Sequence, residues 1–489
     1  MARPRVVLSR CAEYDADRIA EIVTDGMELL DARPYGKTIL KPNIVIAHEV
    51  YFKHAYTRPE FAEGVLRATR ERGKHLAEVR IAERCGITIP TRMAYDKSGY
   101  RPMARRQDVE LVCLDEETQV EVPLTHEHRL RDYVYTPEPI ANCDYMISLP
   151  KFKAHPWTTV TFALKNWIGI QDDRHRMIDH DFHLDRKIAD LQEIVQPDFI
   201  AIDAIIGGQD RMLTAVPYDL GLVIMGENAV ATDAVCCAIL DLDARDVDHI
   251  RYCHERGLGP IDLDEIEVIG DVTLEEAKRA AKGFRKGLVR VEDYFEGSKI
   301  KAYAGPAGKD ADCDYCWGGC PGAMEEAIEI IRTTDPKVDE MMKPIHVVFG
   351  QYEGPINAKV GEKVLFFGDC TAWRGKIGGE DVESPNEYVR APGHAPLHAR
   401  FLDVMLKMLL VFIKVFKSRG QSHIKVKGCP VSVAEHVLYI SRCGKTKNPY
   451  FDPRIVVPFF LSWVTHYVVV IFKRLMGKPY QIKRKELGK

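Results

Sequence analysis

The chain has 489 residues, too many for a single hydrophobic core, so two to four domains are expected. With 46% hydrophobic and 29% charged residues its composition is globular rather than disordered. The 68 basic and 72 acidic residues nearly cancel, so no overall basic field points to nucleic acid.

In chain order, Val6–Ser9 and Lys37–Leu40 read as short strands around a helix over Asp15–Leu30, where Ile19, Ile22, Val23, Met27 and Leu30 recur at helical spacing. The alternation continues with a helix over Arg58–Arg72, strands near Val79 and over Val109–Leu114, and a strand over Tyr145–Leu149. Such alternation predicts an α/β fold: an N-terminal, mostly parallel sheet flanked by helices. Ligands of these sheets bind beyond the carboxyl ends of the strands.

Two strand ends stand out on that criterion. Proline stops Ile39-Leu40-Lys41-Pro42-Asn43, leaving a lysine and a carboxamide at the strand mouth. The second is Ser148 to His155, with Lys151, Lys153 and His155, followed by Leu164-Lys165-Asn166-Trp167. Lys41, Lys151, Lys153, Lys165, Asn43, Asn166 and His155 are of the residue types that surround a carboxylate or phosphate, although most lysines are simply solvated. Lys41, His155, Lys165 and Asp203 are taken as candidate catalytic residues, and Asn43, Lys151, Lys153 and Asn166 as substrate-binding ones.

Between Gln171 and Asp185 lie three histidines and five aspartates. His175, His180, His183, Asp179, Asp181 and Asp185 have the chemistry of divalent-metal ligands, but their spacing matches no H-E-x-x-H helix, so a polar loop is expected. Further on, Asp203 interrupts the apolar strand Asp198–Gly208, which ends in a glycine pair, and Asp233 is expected to cap the helix Ala229–Leu240.

The succession Leu-Lys-Pro-Asn (40–43), Leu-Pro-Lys-Phe-Lys-Ala-His (149–155), Leu-Lys-Asn-Trp-Ile-Gly (164–169), Ile-Asp-Ala (202–204) and Ala-Thr-Asp-Ala-Val (231–235) resembles the domain-of-unknown-function-362 family over roughly residues 1–285. Longer members look like fusions to an iron–sulfur part, and the run Cys-Asp-Tyr-Cys-Trp-Gly-Gly-Cys-Pro-Gly-Ala (313–323) is similar to theirs. The resemblance implies a cluster and no settled reaction. A two-cluster ferredoxin is not implied, since C-x2-C-x2-C-x3-C-P is absent from the sequence.

Residues 286–312 read as a linker between an N-terminal domain (1–285) and a cysteine-bearing α/β domain (313–454). Cys313, Cys316 and Cys320 follow C-x2-C-x3-C spacing, and a fourth ligand is to come from Cys370 or Cys429. Neighbouring thiolates repel one another unless a cation or cluster core neutralises them. An iron–sulfur cluster, in particular 4Fe–4S, is expected; zinc is the alternative, although its sites usually pair two C-x2-C knuckles. Both Gly-Cys-Pro triplets, at 319–321 and 428–430, are expected to place their sulfurs at helix N-termini. Nothing at the N-terminus resembles a secretory signal, so the thiols are expected to stay reduced in a cytoplasm.

The amphipathic segment Phe401–Lys417 is expected to pack on the smaller sheet. Ile455–Met476 is more apolar, and the tail from Lys473 to Lys489 holds seven basic residues against one acidic. A buried or dimerising helix is the first expectation for 455–489, a peripheral membrane-surface helix the second and a span the third. The chain as a whole reads as a redox protein or oxidoreductase acting on a small anionic substrate, with an electron-transfer partner. Its rivals are a zinc-stapled scaffold and a metal-dependent hydrolase or transferase.

Overall fold

The computed structural model describes residues 3–48, 52–87, 89–286, 289–307, 315–390 and 401–483. These fall into two compact units, one of 1–176, 185–287 and 459–489, the other of 177–184 and 288–458.

The first unit is built on a ten-stranded sheet. Its strands are β1 (Arg5–Arg10), β2 (Gly36–Pro42), β3 (Leu76–Glu83), β4 (Glu110–Cys113), β7 (Tyr145–Leu149), β8 (Lys151–His155), β9 (Thr159–Thr161), β10 (Phe199–Gln209), β11 (Val216–Gly226) and β12 (Glu267–Gly270), with β5 (Gln119–Pro123) and β6 (Tyr133–Pro137) in a separate small sheet. The main order is β12-β1-β11-β10-β7-β2-β3-β4, with β8 and β9 beside β10. β12, β1, β10, β7, β2, β3, β4 and β8 run one way; β11 and β9 oppose them. The mostly parallel α/β architecture expected from the alternation is therefore what forms.

Parallel strands are covered on both faces, and their side chains accordingly show no polar–apolar alternation: Tyr145–Leu149 is buried at every position. The helix Ala16–Leu29 starts where the Asp15 carboxylate accepts the N–H groups of Asp17 and Arg18, and it buries Ile19, Ile22, Val23 and Met27. It packs beside Pro59–Arg72, which has proline in its first turn. Asp233 does not cap its own helix. Asn228 does that for Ala229–Ile239, while Asp233, one turn inside, accepts the Ala163 and Leu164 N–H groups at 2.8 and 3.0 Å and so starts the 3-10 helix Leu164–Ile170.

The second unit has a five-stranded sheet of β13 (Ile300–Ala304), β14 (Ile345–Gln351), β15 (Lys363–Ile377), β16 (Glu380–Ser384) and β17 (His423–Val426). β13, β14, β15 and β17 are parallel, and β16 runs back along the far half of β15. Within 286–312, read above as a linker, β13 is thus a full sheet member.

Two helix expectations change. Phe401–Lys417 turns Val415 inward but leaves Leu406, Leu409, Leu410 and Phe416 exposed, so it does not cover the sheet with its whole apolar surface. The helix Pro453–Leu475 is not buried either: only 11% of its most apolar window is covered. From Phe459 onward it belongs to the first unit, where β18 (Gln481–Lys483) adds a parallel strand to β5.

Candidate metal centre and lysine network

In the second unit three loops bring cysteines together. Gly319, at φ 105°, caps the helix Cys320–Thr334, so Cys320 occupies its first position with Pro321 next to it, as the Gly-Cys-Pro reading requires. Cys370 lies in β15 at the break between two ladders: Val364–Phe367 pair with β14 and β17, and Trp373–Ile377 pair with β16. A left-handed Gly368 (φ 105°) makes that break, and a Cβ there would sit 3.5 Å from the Cys320 sulfur and 3.6 Å from that of Cys370. Cys429 follows β17 but is not at a helix N-terminus. The next helix starts at Val433 because the Ser432 hydroxyl accepts the Glu435 N–H, which leaves Cys429 in the turn before the cap.

The sulfurs act on one another. The thiols of Cys316 and Cys429 lie within hydrogen-bonding reach of Cys370, and with the nearby Lys425 ammonium they hold the Cys370 thiol well below its usual range despite burial. The same contacts with Cys370, together with burial, push Cys316 and Cys429 up. Burial and the Cys370 charge raise Cys320, whose Sγ accepts the Val431 N–H at 3.2 Å. Four of the five expected ligands therefore converge; Cys313 lies outside the described residues. Among the described residues no three His, Cys, Asp or Glu side chains close into the geometry of a single metal ion. What the donor set offers is thiol sulfur from three distant segments, one at a helix N-terminus and one near an ammonium, which fits a thiolate-held cluster in chemistry.

Sequence reasoning missed what covers these sulfurs. Residues 177–184 of the histidine-rich loop belong to this unit, and Phe182 packs with Tyr388 against Cys316 and Cys370. Asp181 accepts from the Tyr388 hydroxyl at 2.8 Å and pairs with His183 Nδ1 at 2.7 Å, while Asp179 pairs with Arg390 at 3.0 Å. Asp181 and Asp179 are thus engaged by different partners. The loop's aromatic member, Phe182, was the signal overlooked.

In the first unit two of the strand-end lysines, Lys41 and Lys151, are buried against carboxylates. Lys41 pairs with Glu83 at 2.9 Å, both almost wholly buried, and its ammonium also reaches Asn166 Oδ1 at 3.3 Å. Asn166 Nδ2 donates to the Lys41 carbonyl and to Ser148 Oγ, and Asn43 Nδ2 donates to Asn166 Oδ1. Glu83 further accepts the N–H groups of Ile44 and Arg84. Beside β10 a second network forms: Lys151 meets Asp203 at 3.0 Å, and the Tyr14 hydroxyl donates to Asp203 Oδ1 and accepts from Lys151, each at 2.8 Å. Burial lowers the amines of both lysines, and the paired carboxylates partly restore them. Lys153 donates to the carbonyls of Ala55 and Met212, and His155 Nδ1 accepts the Trp157 and Thr158 N–H groups. Glu83 and Tyr14 were missed; Glu83 ends β3 and satisfies the strand-end criterion applied to Lys41.

Lys165 differs from the other lysines. Burial pulls its amine down to about 7, with Asp185 opposing. Asp185 pairs with His249 Nδ1 at 2.8 Å, and burial pushes the Asp233 carboxyl up to about 7 although it accepts two N–H bonds.

Residues 38–238 match the family model described as Domain of unknown function (DUF362). The chain is 22% identical over 274 residues, 52% of this chain and 80% of the other, to a thylakoid-associated protein of Synechocystis sp.. It is 27% identical over 216 residues to one component of the aspartyl/glutamyl-tRNA(Asn/Gln) amidotransferase of Coprothermobacter proteolyticus, covering 40% of this chain and 44% of that protein. Among solved structures, the lactate racemase apoprotein of Thermoanaerobacterium thermosaccharolyticum aligns at TM-score 0.31 and 9% identity, over 70% of this chain and 68% of that one.

Proposed function

With a DUF362 domain over residues 38–238 as premise, we propose that the chain is a cytoplasmic iron–sulfur redox protein that acts on a small anionic substrate. The observation that carries this reading is the convergence of Cys316, Cys320, Cys370 and Cys429, brought from three loops, the first three buried and Cys429 half-buried beside Cys370. Buried thiols whose charges raise one another's pKa need a cationic core to ionise together, and zinc or an iron–sulfur cluster supplies it. A 4Fe–4S cluster bound there supplies one-electron transfer or a Lewis-acidic iron. The residues that would hold it are four of the five candidates Cys313, Cys316, Cys320, Cys370 and Cys429. Phe182 and Tyr388 would keep water from the sulfurs.

In the first unit the substrate reading rests on Lys165. An amine that loses its proton near pH 7 can take a proton from a bound acid, or hold an anion when protonated. Lys41 and Lys151, already matched by carboxylates, position Asn166, Asn43 and Asp203 rather than offering spare charge.

The test is elemental analysis with visible and paramagnetic-resonance spectra on anaerobically purified full-length protein. Brown protein with iron and acid-labile sulfide in near-equal amounts is expected. Colourless protein with one equivalent of zinc would replace this reading by the scaffold one.

A further inference from the structure

The helix Pro453–Leu475 has two faces of opposite character. One face is fastened to the first unit: Trp463 and Val470 are buried, His466 pairs with Asp115 at 3.3 Å and Glu116 at 3.7 Å, and Lys473 pairs with Glu117 at 2.5 Å. Positions 463, 466, 470 and 473 fall on one stripe of a helix. Beyond the helix the chain stays fastened, since Thr118 Oγ1 donates to the Pro479 carbonyl, the Gln119 N–H donates to the Tyr480 carbonyl, and β18 pairs with β5.

The other face carries Val457, Phe460, Leu461, Val468, Phe472 and Leu475, all at least half exposed and reaching 80% at Leu475. At 1.5 Å per residue the helix is about 34 Å long, so this is a continuous apolar stripe far larger than a water-soluble surface usually leaves uncovered. Exposed Lys478 and Lys483 follow it, and the sequence from Lys473 to Lys489 carries seven basic residues against one acidic.

We propose that this outward face lies flat in the headgroup region of an anionic lipid surface, with the first unit riding above it. A spanning helix is surrounded by hydrocarbon, and this one would first have to give up the ion pairs of His466 and Lys473 with Asp115, Glu116 and Glu117. An in-plane helix keeps them. A lipid surface supplies both an apolar layer for the stripe and anionic headgroups for the basic tail. A second copy of the chain supplies a matching apolar face but brings the same basic tail.

Vesicle flotation of the full-length protein tests this, using phosphatidylcholine with and without phosphatidylglycerol. Wild-type protein is expected to float with the phosphatidylglycerol vesicles, more weakly with phosphatidylcholine alone, and to be released by alkaline carbonate. F460S/L461S/F472S, altered only at exposed positions, should lose binding about tenfold or more while keeping its circular dichroism and visible spectrum. Wild-type protein that stays at the bottom with both vesicles overturns the proposal, and sedimentation as a dimer in that case would assign the stripe to a second copy. Resistance to carbonate extraction from native membranes overturns the in-plane arrangement in favour of a span.

Discussion

The lysine network of the first unit and the cysteine cluster of the second solve the problem of buried ionisable groups in opposite ways. Lys41 and Lys151 are each closed against a carboxylate within 3.0 Å, so each of these two charges is balanced by a protein group. The four sulfurs have one another, Lys425 and a few N–H groups, and each thiolate formed makes the next one harder to form. A closed pair is a finished structural element. A set of adjoining thiols ionises together only with a cation beside it.

The sharpest way to break this contrast is at its most connected sulfur. Cys370→Ser is expected to remove most of the iron and the visible absorbance, whereas Cys443→Ser, in the helix Val433–Gly444, should keep both; iron content and absorbance per protein are the readouts. Equal iron in the two variants would mean that the convergence around Cys370 holds nothing.

The opposite side is tested by Lys151→Met. Asp203, wholly buried, would keep only Tyr14 and the Arg58 N–H, and urea unfolding should show a loss of about 3–5 kcal/mol. Lys151→Met/Asp203→Leu should cost less than the sum of the two single changes, as a closed pair requires.

A smaller effect, and a pH-dependent one, is expected at His466. Burial alone would lower its pKa, but Asp115 and Glu116 raise it to about 9. A group raised on folding contributes stability that is complete below its unfolded value of about 6.5 and is lost as pH rises through 9. Amide exchange in the helix Pro453–Leu475, corrected for intrinsic rate, should therefore accelerate between pH 7 and 10 in the wild type and hardly change in His466→Ala. Smallest is Thr273→Ala, which removes one half of the capping box with Glu276 and should cost about 1 kcal/mol in thermal unfolding.

Much of the architecture was legible because periodicity reports local burial. Tyr145–Leu149 matched its strand at both ends, and the Ala16–Leu29 helix differed from its expected span by one residue at each end. Misreadings arose where a side chain acts at a distance. Asp233 looked like a cap for its own helix and instead starts another about seventy residues earlier, and Cys429 looked like a first-turn residue until Ser432 took the cap. The cysteine spacing raised the expectation of a metal loop, but neither Phe182 nor Glu83 could be assigned without knowing which segments meet. The apolar character of 455–476 was plain in sequence; which of its faces is occupied depends on Asp115, Glu116 and Glu117, more than 300 residues away.

The pairing of Gln481–Lys483 with Gln119–Glu121 sets an order of events during synthesis. The sulfur-bearing body uses no residue beyond 458, so it can close while the other body still lacks an edge strand and most of its last helix. Until residues 459–483 leave the ribosome, the acidic turn at 115–117 waits without its histidine and lysine. Nascent chains stalled short of that point should be clipped by protease near the turn and protected once the helix has arrived.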